Sequence, residues 1–147
     1  MRRESRSLSL VRWVMFVPLL AAGCGGARFP TVTGTVTLDG DPLPDAFVEF
    51  YPTDGIGSVC YGRTNAAGYY DMKFSVSQNG VIPGEYLVRI HTGDLVDDMG
   101  TIRRIPEVVP EQYNQKSELT VTVNPGGSNV FEFPLSSAGR IVQIRTQ

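Results

Sequence analysis

Apolar and polar residues alternate along most of the chain from residue 31 onward. In the first such stretch, residues 31–38, Val, Gly and Leu take one side and four threonines take the other. A period of two is typical of a β-strand with one buried face. Asp39-Gly40 ends this stretch, because an Asp-Gly pair favours the positive φ angles of a tight turn.

The same alternation recurs in further short segments that are separated by turns rich in Gly, Pro and Asn. The predicted strands are 31–38, 46–51, 58–64, 69–76, 85–92, 119–123, 130–135 and 141–146. No window has the 3.6-residue period of an amphipathic helix. The pattern therefore predicts an all-β fold, an antiparallel Greek-key β-sandwich of seven or eight strands.

The inward positions of these strands predict the core of the sandwich. The predicted core residues are Val36, Leu38, Val48, Phe50, Tyr70, Met72, Val88, Ile90, Val121, Val123, Phe131 and Phe133.

Residues 93–118 interrupt the alternation with Gly93, Gly100, Pro106 and Pro110. We expect this segment to lack regular structure of its own and either to be functional or to be pinned to the body. Apolar residues within it favour pinning. They are Ile102, Ile105, Val108, Val109 and Tyr113.

The N-terminus has the pattern of an export signal. Four arginines precede an uncharged apolar run over residues 13–22, which is too short to span a bilayer but is typical of a signal peptide. Leu20-Ala-Ala-Gly-Cys24 resembles a bacterial lipobox, with Ala21 where Leu is usual. We therefore expect a signal peptide over 1–23 and a lipid on Cys24; an ordinary cleaved signal or an uncleaved anchor are the alternatives.

The predicted organisation continues with a short linker over 24–30 and one sandwich domain over 31–147. The linker would hold the domain within about 20 Å of the membrane. The expected location is the bacterial cell envelope, and Gly25 after the cysteine favours the outer membrane in a Gram-negative host.

Charge and cysteine content narrow the functional classes. The net charge of −2 includes four arginines and one glutamate in the first 23 residues, so residues 24–147 carry −5, which argues against a nucleic-acid partner. If Cys24 carries lipid, Cys60 has no partner within the chain. We expect Cys60 to be a buried, inert thiol; a reactive or intermolecular cysteine is the alternative.

Three segments resemble a known domain family. Residues 32–48 (VTGTVTLDGDPLPDAFV), 64–70 (TNAAGYY) and 83–90 (PGEYLVRI) are similar, in that order, to the strands and turns of carboxypeptidase regulatory-like domains. The C-terminal part, through residue 135, resembles small lipoproteins of planctomycete-type bacteria. The resemblance implies a prealbumin-like (transthyretin-like) sandwich with an accessory, non-catalytic role and neither catalytic residues nor zinc ligands.

The residues themselves also argue against catalysis. His91 is the single histidine and falls at a polar-facing strand position, where we expect a solvated surface residue. Sequence motifs of serine hydrolases, zinc proteases and phosphate-binding loops are absent. The chain is therefore predicted not to be an enzyme and to need no cofactor; a small hydrolase that uses His91 is the least favoured hypothesis.

Aspartates provide the only candidate metal ligands. Asp39, Asp41, Asp94, Asp97 and Asp98 could offer oxygens to calcium, but they lack the spacing of a known calcium loop. Asp at such positions is typical of turns. We therefore predict no metal site.

Aromatic residues give the best indication of a binding site. Phe47, Tyr51 and Tyr69 fall on the outer faces of their predicted strands. Flat rings of this kind stack on sugars and anchor protein partners. One alternative is that the 93–118 segment covers these rings. The other is that the inner and outer faces of the strands are assigned one residue out of step, so that the rings point inward.

The sequence thus predicts a non-catalytic, exported, lipid-anchored β-sandwich that acts as a binding or assembly module at the cell envelope. Its partners would be the membrane, through the lipid, and an envelope protein or a glycan. The alternative is a carbohydrate-binding lipoprotein that uses the exposed aromatic residues.

Overall fold

The computed structural model describes residues 29–75 and 78–143. The predicted signal peptide, Cys24 and most of the linker lie outside the described residues. The described strands are β1 (Thr31–Leu38), β2 (Asp41–Pro42), β3 (Phe47–Pro52), β4 (Cys60–Arg63), β5 (Tyr69–Asp71), β6 (Lys73–Ser75), β7 (Gln78–Asn79), β8 (Gly84–His91), β9 (Asp94–Asp98), β10 (Thr101–Ile105), β11 (Thr120–Val123) and β12 (Ser128–Leu135). One 3₁₀ turn covers Glu111–Tyr113.

Two sheets face each other across the core. The first sheet has the order β12-β1-β2, with β5 pairing along the same edge of β1 as β2. The second sheet has the order β11-β8-β3-β4-β6-β7. The prediction of an all-β sandwich is confirmed, and in the described ranges no helix is long and apolar enough to cross a membrane.

One pairing differs from a wholly antiparallel sandwich. β1 and β12 run parallel over their full length, from Thr31 opposite Ser128 to Leu38 opposite Leu135. Parallel neighbours need a long crossover connection, and here the whole second sheet lies between the two strands in sequence. The Greek-key order stays a prediction.

The core lies where the period-two pattern predicts it. Nine of the twelve predicted core residues are buried, and Leu38, Val121 and Phe131 are partly buried against them, so the predicted phase of the strands is correct. Cys60 is also buried, and burial raises the pKa of its thiol to about 11. Because the thiolate is the reactive form, this supports the expectation of an inert cysteine.

The predicted strand over 69–76 is in fact two strands in different sheets. Up to Asp71 the chain pairs with β1, and from Lys73 it pairs with β4. Met72 lies at the crossing: its N–H donates to the Val32 carbonyl at 2.9 Å, and its carbonyl accepts the Gly80 N–H at 3.1 Å. The backbone is therefore satisfied on both sides although the chain changes sheet.

The expectation for residues 93–118 is wrong for the first half of the segment. β9 and β10 form a hairpin with five residue pairs, and Ile102, predicted to be pinned, is exposed. The second half is pinned as predicted, because Val109 is fully buried and Tyr113 packs against the core. Val108, however, points outward. At the C-terminus, residues 141–143 are not in a strand, and the rest of the predicted 141–146 strand lies outside the described residues.

Candidate functional site

A tight turn over residues 65–68 joins β4 to β5 and positions the exposed tyrosines. The Asn65 side-chain oxygen accepts the N–H groups of Ala67 at 2.9 Å and Tyr69 at 3.1 Å. Gly68 has a φ of 72°, and a Cβ atom there would lie 2.4 Å from the Val36 carbonyl oxygen. The turn therefore needs glycine, and it fixes Tyr69 at the start of β5.

This turn opens onto a groove between β4, β5 and β6, which we call the tyrosine groove. Its volume is about 350 Å³. Tyr61 and Tyr69 are 42% and 44% exposed. The groove is lined by Tyr61, Gly62, Arg63, Asn65, Tyr69, Asp71 and Lys73.

Charged groups surround the two rings. Lys73 pairs across the strands with Tyr61. A guanidinium nitrogen of Arg63 lies 3.3 Å from an Asp45 carboxylate oxygen at the surface. With Asp71 also in the lining, the groove offers two flat apolar faces beside donors and acceptors of hydrogen bonds.

Phe47, the first predicted site residue, is half-buried and is not part of the groove lining. β3 lies between β4 and β8, and Phe47 pairs with Arg63 on one side and His91 on the other. The Arg63 guanidinium lies 5.0 Å from the Phe47 ring centroid, and the His91 ring stacks on it at 5.0 Å and 17°. The Phe47 ring is therefore covered and is not a free platform.

Tyr51, the second predicted site residue, is also covered by neighbouring side chains. Its hydroxyl donates to a Glu49 carboxylate oxygen at 2.9 Å, and the Arg89 guanidinium lies 4.7 Å from the centre of its ring. Tyr51 is four residues from Phe47 on the same strand, about 13 Å away. The three predicted aromatic residues therefore do not share one site. Side chains of the second sheet cover both the Phe47 and the Tyr51 rings.

Tyr69 is the only one of the three in the groove, and its partner Tyr61 was missed. A signal for Tyr61 existed: it follows Cys60, and a buried Cys60 in a strand places the next residue on the outer face. The neighbouring turn gave no hint that Tyr61 and Tyr69 would converge, because they lie in different sheets.

His91 differs from the predicted solvated residue. It is half-buried, with Nε2 3.8 Å from a Glu49 oxygen and Nδ1 3.3 Å from the Gly93 carbonyl oxygen. The interaction with the nearby Glu49 carboxylate raises the pKa of His91, and the same interaction lowers the pKa of Glu49. Phe47, the cross-strand partner of His91, covers the His91 ring. For this reason the strand position of His91 alone mispredicts how exposed its side chain is.

A second cavity, of about 210 Å³, lies beside His91. Its wall includes Glu107, a buried carboxylate that accepts five hydrogen bonds. Oε1 accepts the Thr92 N–H, the Thr92 hydroxyl and the Val109 N–H at 2.8–3.0 Å, and Oε2 accepts from Gly93 at 3.3 Å and Asn114 at 3.1 Å. Glu107 thereby joins the 106–114 segment to the end of β8.

This cavity has acid–base groups but no assembled nucleophile. Within the described part of the chain, the polar partners of His91 are Glu49 and Gly93, and no hydroxyl or thiol hydrogen-bonds to its ring. Nucleophilic catalysis needs such a contact. Glu49 and His91 are thus a partly buried acid–base pair on the neighbouring strands β3 and β8.

The five candidate calcium ligands do not form one site: Asp39 lies in a turn, and the other four lie in strands β2 and β9. Carboxylate oxygens of Asp39, Asp94 and Asp97 accept the backbone N–H groups of Ser137, Leu95 and Gly100 at 2.7–2.9 Å. Asp41 and Asp98 lie in strands β2 and β9. Among the described residues no three His, Cys, Asp or Glu side chains converge to hold a metal ion.

No protein-family model matches this chain, and no curated protein matches its sequence. Three solved structures share part of its architecture. A Pseudomonas aeruginosa protein proposed to bind carbohydrate is 10% identical over 73% of this chain and 88% of its own, with a TM-score of 0.41. A Bacteroides ovatus protein proposed to be an adhesin is 16% identical over 76% and 48%, with a TM-score of 0.43.

The third similar structure is a 9R-lipoxygenase from Cyanothece, 11% identical over 74% of this chain and 16% of the lipoxygenase, with a TM-score of 0.41. At these identities and TM-scores the three likenesses carry no argument about what this chain binds.

Proposed function

We propose that this protein is a non-catalytic binding module that takes a saccharide ligand in the tyrosine groove. The observation that carries the proposal is the pair of tyrosines, each more than two-fifths exposed, that line one groove. Single exposed aromatics are common, but two in one groove form a surface that water solvates poorly.

The chemistry of the groove matches that of a sugar ring. The axial C–H groups of a pyranose form an apolar face that stacks on an aromatic ring, and its hydroxyls need donors and acceptors at the ring edge. The side chains of Arg63, Lys73 and Asp71 offer these groups around Tyr61 and Tyr69. A hydrophobic small molecule would make no hydrogen bonds with Lys73 and Asp71 at the edge of the groove, so the groove favours a polyhydroxylated ligand.

A non-catalytic role is supported by the state of the cysteine and the histidine that lie within the described residues. Cys60 is in the core with its pKa raised, and His91 is held by Glu49 and stacked on Phe47. The family resemblance to carboxypeptidase regulatory-like domains, which the sequence motifs suggest, agrees with an accessory role.

We further propose that a lipid on Cys24 anchors the module at the cell envelope, in the outer membrane if the host is Gram-negative. The proposal rests on the basic stretch, the apolar run and the cysteine near the N-terminus. It predicts that the protein sediments with membranes and incorporates an alkyne-tagged fatty acid. Cys24→Ser should abolish the labelling, and equal labelling of both proteins would contradict lipidation.

Saccharide binding is tested by screening the purified full chain against an array of bacterial and host glycans, then titrating the best hit by calorimetry. Tyr61→Ala and Tyr69→Ala should each weaken binding at least about tenfold, since buried aromatic anchors dominate recognition. Tyr61→Phe keeps the stacking face and should bind within about threefold of wild type.

Val130→Ala is the matched surface control, because Val130 is exposed on β12, outside the groove lining. The proposal fails if no glycan binds saturably. It also fails if both tyrosine-to-alanine variants bind as tightly as Val130→Ala.

A further inference from the structure

The chain enters the sandwich at a fixed point. The Phe29 ring packs edge-on against the Phe74 ring, with 5.3 Å between their centroids. The Pro30 carbonyl accepts the Val81 N–H at 3.1 Å, and β8 begins three residues after Val81. The chain before Phe29 is therefore attached at this end of the sandwich, which we call the entry end.

Strand register places the loop after β3 at the same end. Pro52, the last residue of β3, stands opposite Tyr86 near the start of β8. The Thr53 N–H donates to the Glu85 carbonyl at 3.1 Å. The loop over residues 53–59 therefore leaves the sheet at the entry end.

The tip of this loop presents an isoleucine to solvent. Ile56 is 79% exposed and lies between Gly55 and Gly57. The φ angles of these glycines are 70° and 111°, a region that favours glycine. The Asp54 carboxylate accepts the Ile56 N–H at 2.9 Å. The backbone of the loop thus holds an apolar side chain away from the domain.

Further apolar surface adjoins Ile56. A groove of about 110 Å³ beside it is lined in part by Ile82 and Pro83, and Val59 at the end of the loop is 37% exposed. Contiguous exposed apolar surface is typical of a protein or membrane contact.

The entry end is also poor in charge. Its connections are residues 53–59, 80–83 and 124–127. Asp54 is the single charged residue of these connections, and Glu85 follows at the start of β8. By contrast, the 39–45 turn at the opposite end has three aspartates, and the 92–119 connection after β8 has nine charged residues. Because charged groups lose hydration against a bilayer, the entry end is the one suited to face it.

We propose that the entry end rests on a lipid bilayer and that Ile56 inserts into the apolar region of that bilayer. The inference rests on the proposed lipid on Cys24. Five residue steps separate Cys24 from Phe29, and an extended chain of that length spans at most about 18 Å. The lipid anchor therefore keeps Ile56 at a high local concentration of bilayer, where a contact too weak to hold the protein by itself still forms.

This orientation leaves the tyrosine groove accessible. β4 starts next to the 53–59 loop with Cys60 and ends with Arg63, so the 65–68 turn lies at the opposite end. Tyr69, which follows this turn, is therefore directed away from the bilayer side of the domain, and an anchored protein keeps it available to a glycan.

Tryptophan fluorescence tests the contact. Trp13 is the single tryptophan of the chain and lies in the proposed signal peptide, so Ile56→Trp introduces the only tryptophan of the processed protein. The lipidated variant is purified from membranes and reconstituted into phosphatidylcholine vesicles with plain or brominated acyl chains. Bromine quenches tryptophan on contact, so the emission should be lower by about half or more in the brominated vesicles.

Ile102→Trp is the matched control, because Ile102 is 58% exposed on the hairpin that follows the opposite end of β8. Its emission should be the same in both kinds of vesicle. Quenching of Ile56→Trp should persist in high salt and without anionic lipid, since the connections of the entry end contain no lysine or arginine.

The failure of this inference can be distinguished from the failure of the lipid anchor by flotation of the vesicles. An Ile56→Trp protein that floats with the vesicles but emits equally in both kinds would overturn the inference and leave the anchor intact. Equal quenching of Ile56→Trp and Ile102→Trp, or quenching that requires anionic lipid, would also overturn it. A protein that does not float would overturn the anchor and this inference together, and saccharide binding in the tyrosine groove would be unaffected.

Discussion

Gly34 on β1 lies between Tyr70 on β5 and Phe131 on β12. The Tyr70 hydroxyl donates to the Phe131 carbonyl oxygen at 2.8 Å, and Gly34 lies directly opposite both Tyr70 and Phe131. A Cβ atom on Gly34 would lie 1.7 Å from that carbonyl oxygen and 2.8 Å from the Tyr70 hydroxyl. The side-chain hydrogen bond and the parallel β1–β12 pairing are therefore compatible only with glycine here.

Gly34→Ala should consequently lower the free energy of unfolding by about 3 kcal/mol or more, because the new methyl group forces the two strands apart. Gly40→Ala is the control: its φ is 93°, but a Cβ there meets nothing within 4 Å, so its cost should be only about 1 kcal/mol. Urea unfolding followed by circular dichroism measures both. Equal losses for the two variants would show that space at Gly34 is not limiting.

The Glu49–His91 pair makes a small contribution with a defined pH range. The pKa of His91 is raised above 6.5, so its contribution is complete below 6.5 and is lost as the pH rises through the raised value. The pKa of Glu49 is lowered from 4.5, so its contribution is complete above 4.5 and is lost as the pH falls through the lowered value. The pair therefore stabilises the fold most between about pH 4.5 and pH 6.5, by up to about 1 kcal/mol.

The proton NMR titration of His91 checks this directly, since it is the single histidine of the chain and needs no assignment in a tag-free protein. The wild-type midpoint should lie above 6.5, and Glu49→Gln should lower it. Glu132→Gln, an exposed change on β12, should leave it unaltered. A midpoint that Glu49→Gln does not move would mean that the contact does not form in solution.

Among the elements, the 106–114 segment shows how a stretch without strands is held in place. Its buried Glu107 carboxylate accepts five hydrogen bonds, and its backbone exchanges two more with the Gln143 side chain at 2.8 and 3.0 Å. Val109, two residues further along the chain, is fully buried in the core. Polar anchoring and apolar burial therefore act on neighbouring residues.

Glu107→Gln should destabilise the protein by about 2–3 kcal/mol, because an amide group sets its own N–H₂ against donors that now lack an acceptor. Glu118→Gln, an exposed change nearby, should shift stability by less than about 0.5 kcal/mol. Amide exchange should become faster at Thr92 and Val109, whose N–H groups bond to Glu107. Unchanged exchange at both amides would contradict this role of the carboxylate.

The long strands were predictable from sequence because their alternation is a local signal. β1, β3 and β8 follow it residue by residue, with buried and outward positions in turn. The change of sheet at Met72 was not predictable, because alternation continues across it from Tyr70 to Phe74. The β9–β10 hairpin was missed because its turn places Met99 at φ 51°, a conformation that methionine rarely adopts.

The candidate site was only partly predictable for a related reason. The outer face of one strand identifies Tyr69, but the groove depends on how β5 and β6 divide between the sheets. Pairing partners such as Arg63 and His91 also decide whether an outward ring is free, and Phe47 shows that they cover it. The exposure of a side chain on a sheet is thus set by its cross-strand neighbours as much as by the face of the strand on which it lies.

At the scale of the whole molecule, the features discussed above lie on different parts of the sandwich. Pro30 contacts Val81 just before β8, the β9–β10 hairpin follows the opposite end of β8, and the tyrosine groove lies along β4 to β6.

The central claim, that Tyr61 and Tyr69 form the saccharide-contacting surface, is tested most directly by NMR of the full chain with ¹³C-labelled tyrosine rings. The six tyrosines give a small, resolvable set of signals. On titration with the best-binding glycan, the Tyr61 and Tyr69 signals should shift saturably while Tyr51, covered by Arg89, stays in place. Shifts confined to Tyr51 or to the other tyrosines, with Tyr61 and Tyr69 unmoved, would contradict the assignment of the groove.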